Sequence, residues 1–185
     1  MSTRGVAPGL LLAMPQLEDP NFERAVVLMI EHTDHGSFGL IVNRPTSIQV
    51  ADVMTSLDVT WTGNPDAVVW SGGPVMPGTG WLLHEPVDLP VQEGFVAVEP
   101  GIVLSTSPER LRALAAAPPG KIRFLMGYSG WGSSQLEGEL AASSWLTAEA
   151  TPGLVFDTPP HEMWEAAMRS LGVDPVTLVP ASGVH

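Results

Sequence analysis

Cysteine is missing from all 185 residues, which excludes disulfides, Cys–zinc sites and thiol nucleophiles and leaves the redox compartment undecided. Lysine is almost missing too. Lys121 stands beside seven arginines, so nearly all positive charge takes the form suited to bidentate carboxylate or phosphate contacts. Twenty acidic residues face these eight bases, and the formal charge of -12 repels a polyanion, so nucleic acid is not an expected partner. No apolar run approaches the ~20 residues of a membrane-spanning helix. A signal peptide needs an unbroken core of about 7–15 apolar residues. The opening "MSTRGVAPGLLLAMPQLEDP" is interrupted at Pro8-Gly9 and closed by Pro15. We read it as a strand and expect a cytoplasmic protein.

Apolar residues make up 44% of the chain and charged ones 15%, the profile of a folded domain. A chain of this length buries about 70% of its unfolded surface, enough for one domain over 1–185. Nineteen glycines and 18 prolines mark many turns.

Three apolar runs, 9–15, 24–32 and 38–43, read as neighbouring strands, the last two joined by "TDHGS" as a hairpin. Their lack of polar alternation predicts cover on both faces. "SIQVADVMTSLD" spaces Ile48, Ala51, Met54 and Leu57 as a helix stripe with Ser47 as cap. Strands follow at 66–74, 80–86 and 94–107. A helix opens with Ser107 as cap and Pro108 at its first position, and stops at Pro118-Pro119. A strand over 121–132 precedes "SQLEGELAA", where Ser134 and Glu137 have capping-box spacing. The last third reads as a strand at 153–158 and a helix that buries Met163, Trp164, Ala167, Met168 and Leu171. Irregular alternation of helices with adjacent strands points to an α+β fold.

Three glycine-rich corners follow strands: "VNRP", "SGGP" and "GYSGWG". Glycine lets freed backbone amides approach an anion, and Asn43, Arg44, Ser71, Ser129 and Trp131 sit at these corners. Tight turns alone are the competing explanation. Arg44 must either meet a carboxylate or stand at the rim of a recess. Asn43 suits a left-handed turn and local hydrogen bonds. "EHTDH" (31–35) gathers Glu31, His32, Asp34 and His35, but a hairpin loop bends them apart, and no metal site is assigned. His84 and His161 are isolated. "GYSGW" lacks the final glycine of a nucleophile elbow, so Ser129 is only an alternative nucleophile, with His161 as its base.

The succession "LLLAMPQLEDPNFERAVVLMIEH", "FGLIVNRP", "VVWSGGPV", "GWLLHEP", "LMGYSGWGSSQLEGEL", "SSWLTAEA" and "LVFDTPPHEMWEAAM" resembles the YqgE/AlgH family of small bacterial proteins. The likeness is collinear from about residue 9 to residue 176. It implies a single α+β domain with a mixed, partly barrel-like sheet flanked by helices. It also implies a transcriptional-regulator label, which no helix-turn-helix in this sequence supports. Motif positions carried over are Asp19, Pro20, Phe22, Arg24, His32, Asn43, Arg44, Pro45, Gly72, Gly73, Pro74, Gly127, Trp131, Gln135, Leu136 and Glu139, none of them an established catalytic residue of the family. Ser129 stands where relatives often carry a small nonpolar residue.

The leading expectation is a non-enzymatic cytosolic binding or regulatory domain. Its site would combine Arg24, Asn43, Arg44, Ser71, Gly72, Gly73, Gly127, Ser129 and Trp131 around a small anionic molecule or a protein partner, without cofactor or metal. A hydrolase or transferase using Ser129 and a DNA-binding regulator are the alternatives.

Overall fold

A computed structural model describes residues 6–17, 19–88 and 95–178. Ten strands lie among them: β1 (Gly9–Ala13), β2 (Val26–Thr33), β3 (Gly36–Ile41), β4 (Pro45–Gln49), β5 (Val68–Ser71), β6 (Val75–His84), β7 (Phe95–Glu99), β8 (Ile102–Ser105), β9 (Ile122–Gly132) and β10 (Trp145–Ala148). Four α-helices accompany them: α1 (Val50–Ser56), α2 (Pro108–Ala116), α3 (Gln135–Ala141) and α4 (Pro160–Ser170). The main path runs β10-β1-β2-β3-β9-β6-β8-β7 and is open at both ends, so barrel character stops short of closure. Its pairings are antiparallel; the parallel alignment of β5 with β9 makes the sheet mixed.

Strand alternation explains the layers. Leu10, Leu12, Val26 and Leu28 point to one face, where α4 packs Met163, Trp164, Ala167 and Met168 over them. Leu11, Ala13, Val27 and Met29 point to the other face, under Leu136 of α3. Farther along that face, Leu82, Phe124 and Val69 meet Met54 of α1 and Leu114 of α2. Both faces are covered, as the uninterrupted apolar runs predict.

Strand β9 is the hub. Its first half pairs with β5 over 124–126, its second half with β3 over 129–132, and β6 spans most of its length. Because a strand has two edges, β3 and β5 lie end to end along one of them.

Several local expectations differ from the structure. Ile48 and Gln49, read as the first turn of a helix capped by Ser47, belong to β4 (Pro45–Gln49), and α1 begins at Val50 with no side-chain cap hydrogen bond. Ile48 and Leu57 are exposed; Met54 carries the burial of that stripe. Residues Gly153–Asp157, expected as a strand, form a π-type turn, because Leu154, Val155 and Phe156 fold inward against the α4 layer instead of alternating. Ser134 adopts φ 65° and caps nothing through its side chain; Gln135 Oε1 instead accepts from Gly132 N. By contrast Ser107 does cap α2, accepting from Arg110 N. Among the described residues, no helix is long and apolar enough to cross a membrane.

Candidate functional site

The three glycine corners do meet. Ser71 N donates to Arg44 O, Ile41 N to Gly72 O and Gly72 N to Met126 O, each at 2.8 Å. What fills the junction is main chain. A Cβ on Gly72 would fall 2.4 Å from Gly127 O, and one on Gly73 would fall 2.3 Å from the carbonyl of Tyr128. Gly73 and Gly127 also have φ of +148° and +82°. Glycine is therefore required where the chain leaving β5 meets β9 backbone to backbone, and the amides of Ser71 and Gly72 donate to main-chain carbonyls.

Asn43, Arg44, Ser129 and Trp131 are likewise held by protein groups. Arg44 donates from both terminal nitrogens to Asn21 O and Glu23 O, each at 2.6 Å, tying the Pro20–Phe22 turn to the end of β3. Burial lowers its pKa, and the carboxylates of Glu23 and Asp19 act in the opposite sense. An internal loop thus answers the charge that a rim would leave for a ligand. Asn43 holds the start of β2, accepting from Val26 N and donating to Arg24 O. Arg24, itself at φ 52°, lies 4.8 Å over the Trp164 ring and 3.6 Å from Glu165. Ser129 is fully buried and donates to Gly72 O, while His161 is exposed beside Glu162. Trp131 is buried and donates to Glu139, which also accepts from Trp145. Of the 31–35 cluster, His32 turns inward between Ser37 and Glu137, and no group of three metal-ligating side chains gathers among the described residues.

An open cleft lies elsewhere. Between α1 and α2, above β6 and β9, is a cleft of about 430 Å³. Its walls are Val53, Leu57 and Leu111, and its floor is Leu82, Phe124 and Met126. Ser105, Thr106 and Ser107 line it too, with the amino end of α2 and Arg112. Arg112 is exposed and forms no ion pair among the described residues.

Ser105 also belongs to a buried polar network. Ser105 Oγ is 2.8 Å from His84 Nε2 and accepts from Arg110 Nε at 2.8 Å, and all three residues are at most 2% exposed. His84 Nδ1 lies 2.7 Å from Glu85 O. A carbonyl only accepts, so Nδ1 carries the proton and Nε2 receives the serine hydroxyl. Burial lowers the pKa of His84; the Glu85 carbonyl raises it and Arg110 lowers it again. Sequence reading passed over this group because its members sit on three elements. The one legible signal is parity: His84 shares a strand face with Leu82, which points into the core under α1 and α2.

Comparison with known proteins fits the fold. A protein of Myxococcus xanthus designated UPF0301 is 42% identical over 183 residues, spanning 98% of this chain and 99% of its own. A UPF0301 protein of Cupriavidus pinatubonensis is 39% identical, over 95% of this chain and 92% of its own. The solution structure of AlgH from Pseudomonas aeruginosa superposes with a TM-score of 0.78 at 35% identity, over 97% of this chain and 96% of that one. The crystal structure of a Corynebacterium diphtheriae protein shares the fold, with a TM-score of 0.71 at 24% identity and coverage of 92% and 90%. Residues 10–176 match the AlgH-like family profile, and with full-length relatives above 40% identity the chain belongs to that family.

Proposed function

We propose that the chain is a cytosolic binding domain whose ligand is a small amphiphilic anion, with an apolar body and one acidic end, held in the cleft between α1 and α2. The observation that carries this reading is the cleft's mixed lining: an aliphatic and aromatic trough is also bordered by Ser105, Thr106, Ser107, a helix amino terminus and Arg112. Small-molecule sites combine a mostly apolar lining with a few convergent polar groups, and an arginine with helix N–H groups favours negative charge. The anionic class is the one expected from the arginine-rich base content. We place it in the cleft rather than at the glycine junction, since Arg44 and Asn43 donate to main-chain carbonyls whereas Arg112 is exposed and forms no ion pair among the described residues.

A thermal-shift series of straight-chain carboxylates tests this. Binding at a hundred times Kd stabilises by about 2.7 kcal/mol, so melting should rise with chain length until the trough is filled. Arg112→Ala should weaken the shift for carboxylates and spare that for the matching alcohols. Val53→Phe, which narrows the trough, should weaken both. Equal shifts in wild type and both variants, or none in any, would remove the reading.

A further inference from the structure

We propose that Ser105 is a nucleophile and His84 its general base, so that the cleft performs acyl transfer on a carboxylic ester of the amphiphilic class it binds. The inference rests on the binding reading for where the substrate lies.

Geometry and proton placement both support it. The hydroxyl lies 2.8 Å from Nε2 of a histidine whose other nitrogen donates to Glu85 O, the arrangement that fixes an accepting tautomer. Arg110 Nε, at 2.8 Å, occupies a lone pair of the same oxygen and so turns the hydroxyl proton toward the ring. Arg110 is a positioning residue here. Burial lowers the His84 pKa, which favours the neutral form that a base requires. Ser105 also borders the cleft, whereas Ser129 points its hydroxyl at a main-chain carbonyl. The amino end of α2 also borders the cleft, and it favours the negative charge that would develop on the attacked carbonyl.

The step balances without a further reagent. Ser105 Oγ bonds to the ester carbon as its proton passes to His84 Nε2. The carbon–alkoxy bond then breaks, and that proton leaves with the alcohol. Water attacks the acyl-serine, gives a proton to Nε2 and displaces Oγ, which takes the proton back; the products are an acid and an alcohol.

The test is an alkyl fluorophosphonate applied to the intact folded protein, followed by peptide mapping. The expected adduct is on Ser105, absent in Ser105→Ala and formed at least tenfold more slowly in His84→Gln, while Ser129→Ala labels like wild type. The wild-type map needs no variant to fold. No adduct at Ser105, or an adduct at another serine alone, overturns the nucleophile. Carboxylate binding measured on the same sample separates that failure from failure of the binding site: an unlabelled protein that still shows the chain-length series retains its cleft and loses only the chemistry.

Discussion

Glu139 accepts the indole N–H groups of Trp131 and Trp145 on one oxygen, at 2.9 and 2.8 Å, and the Gln135 amide on the other, at 3.0 Å. One carboxylate therefore satisfies two buried donors that packing alone would strand. Glu139→Ala should cost about 2–3 kcal/mol, since it leaves both indoles unpaired away from water. Urea denaturation followed by tryptophan fluorescence reads it, and Glu139→Gln, which keeps an acceptor, should lose less. Asn43 plays the same part for main chain, and Asn43→Ala should cost about 1–3 kcal/mol for its two lost partners. His84 gives a pH signature. Its pKa is lowered in the folded protein, so below about 6.5 the unfolded chain binds a proton that the folded one refuses. This contribution to stability is complete above the ordinary histidine pKa and declines as pH falls through it. His84→Gln should flatten the dependence of urea midpoints between pH 7 and 5; an unchanged slope would mean that another group sets it.

At the scale of elements, glycines of two kinds separate cleanly. Gly73 and Gly127 are trapped between main chains at positive φ, and Gly73→Ala combines backbone strain with a clash against the Tyr128 carbonyl. A loss of about 3 kcal/mol or more is expected in thermal unfolding. Gly138 sits inside α3, and a Cβ there would meet nothing within 4 Å. Gly138→Ala should therefore stabilise by about 0.4–1 kcal/mol, as an alanine that limits the unfolded chain without meeting anything in the folded one. The legibility of elements follows the same physics. α2 and α4 announce themselves through Ser107-Pro108 and through the Met163, Trp164, Ala167, Met168 stripe, because those signals are local; Leu171, expected on the same stripe, lies past the end of α4 and is exposed. β4 and the turn at Gly153–Asp157 do not, since Pro45–Gln49 is a strand only by pairing with β5, and Phe156 turns in only because α4 leaves room for it. The candidate site is hidden in the sequence for the same reason. Arg44 looks like a rim residue until the carbonyls of Asn21 and Glu23 arrive from more than twenty residues away, and Ser105 gains its histidine only when β8 pairs with β6.

For the whole molecule, composition was informative where elements were not. Both faces of the sheet are covered, as apolar strands without alternation require. The excess of twelve negative charges bears on partners. A polyanion would have to overcome that average field, and among the described residues the arginines 24, 44, 110 and 123 are engaged with protein groups. Gel-shift titration at low salt should accordingly show no retained DNA; a complex whose affinity falls steeply with added salt would restore the regulator alternative.

The position of β1, between β2 and β10, also bears on how the chain is made. A ribosome delivers residues 9–13 long before 145–148, so for most of translation that strand presents an unpaired, wholly apolar flank to the cell. A nascent chain halted before residue 145 should therefore recruit holding chaperones or aggregate, and release only once the last strand has emerged to close the seam.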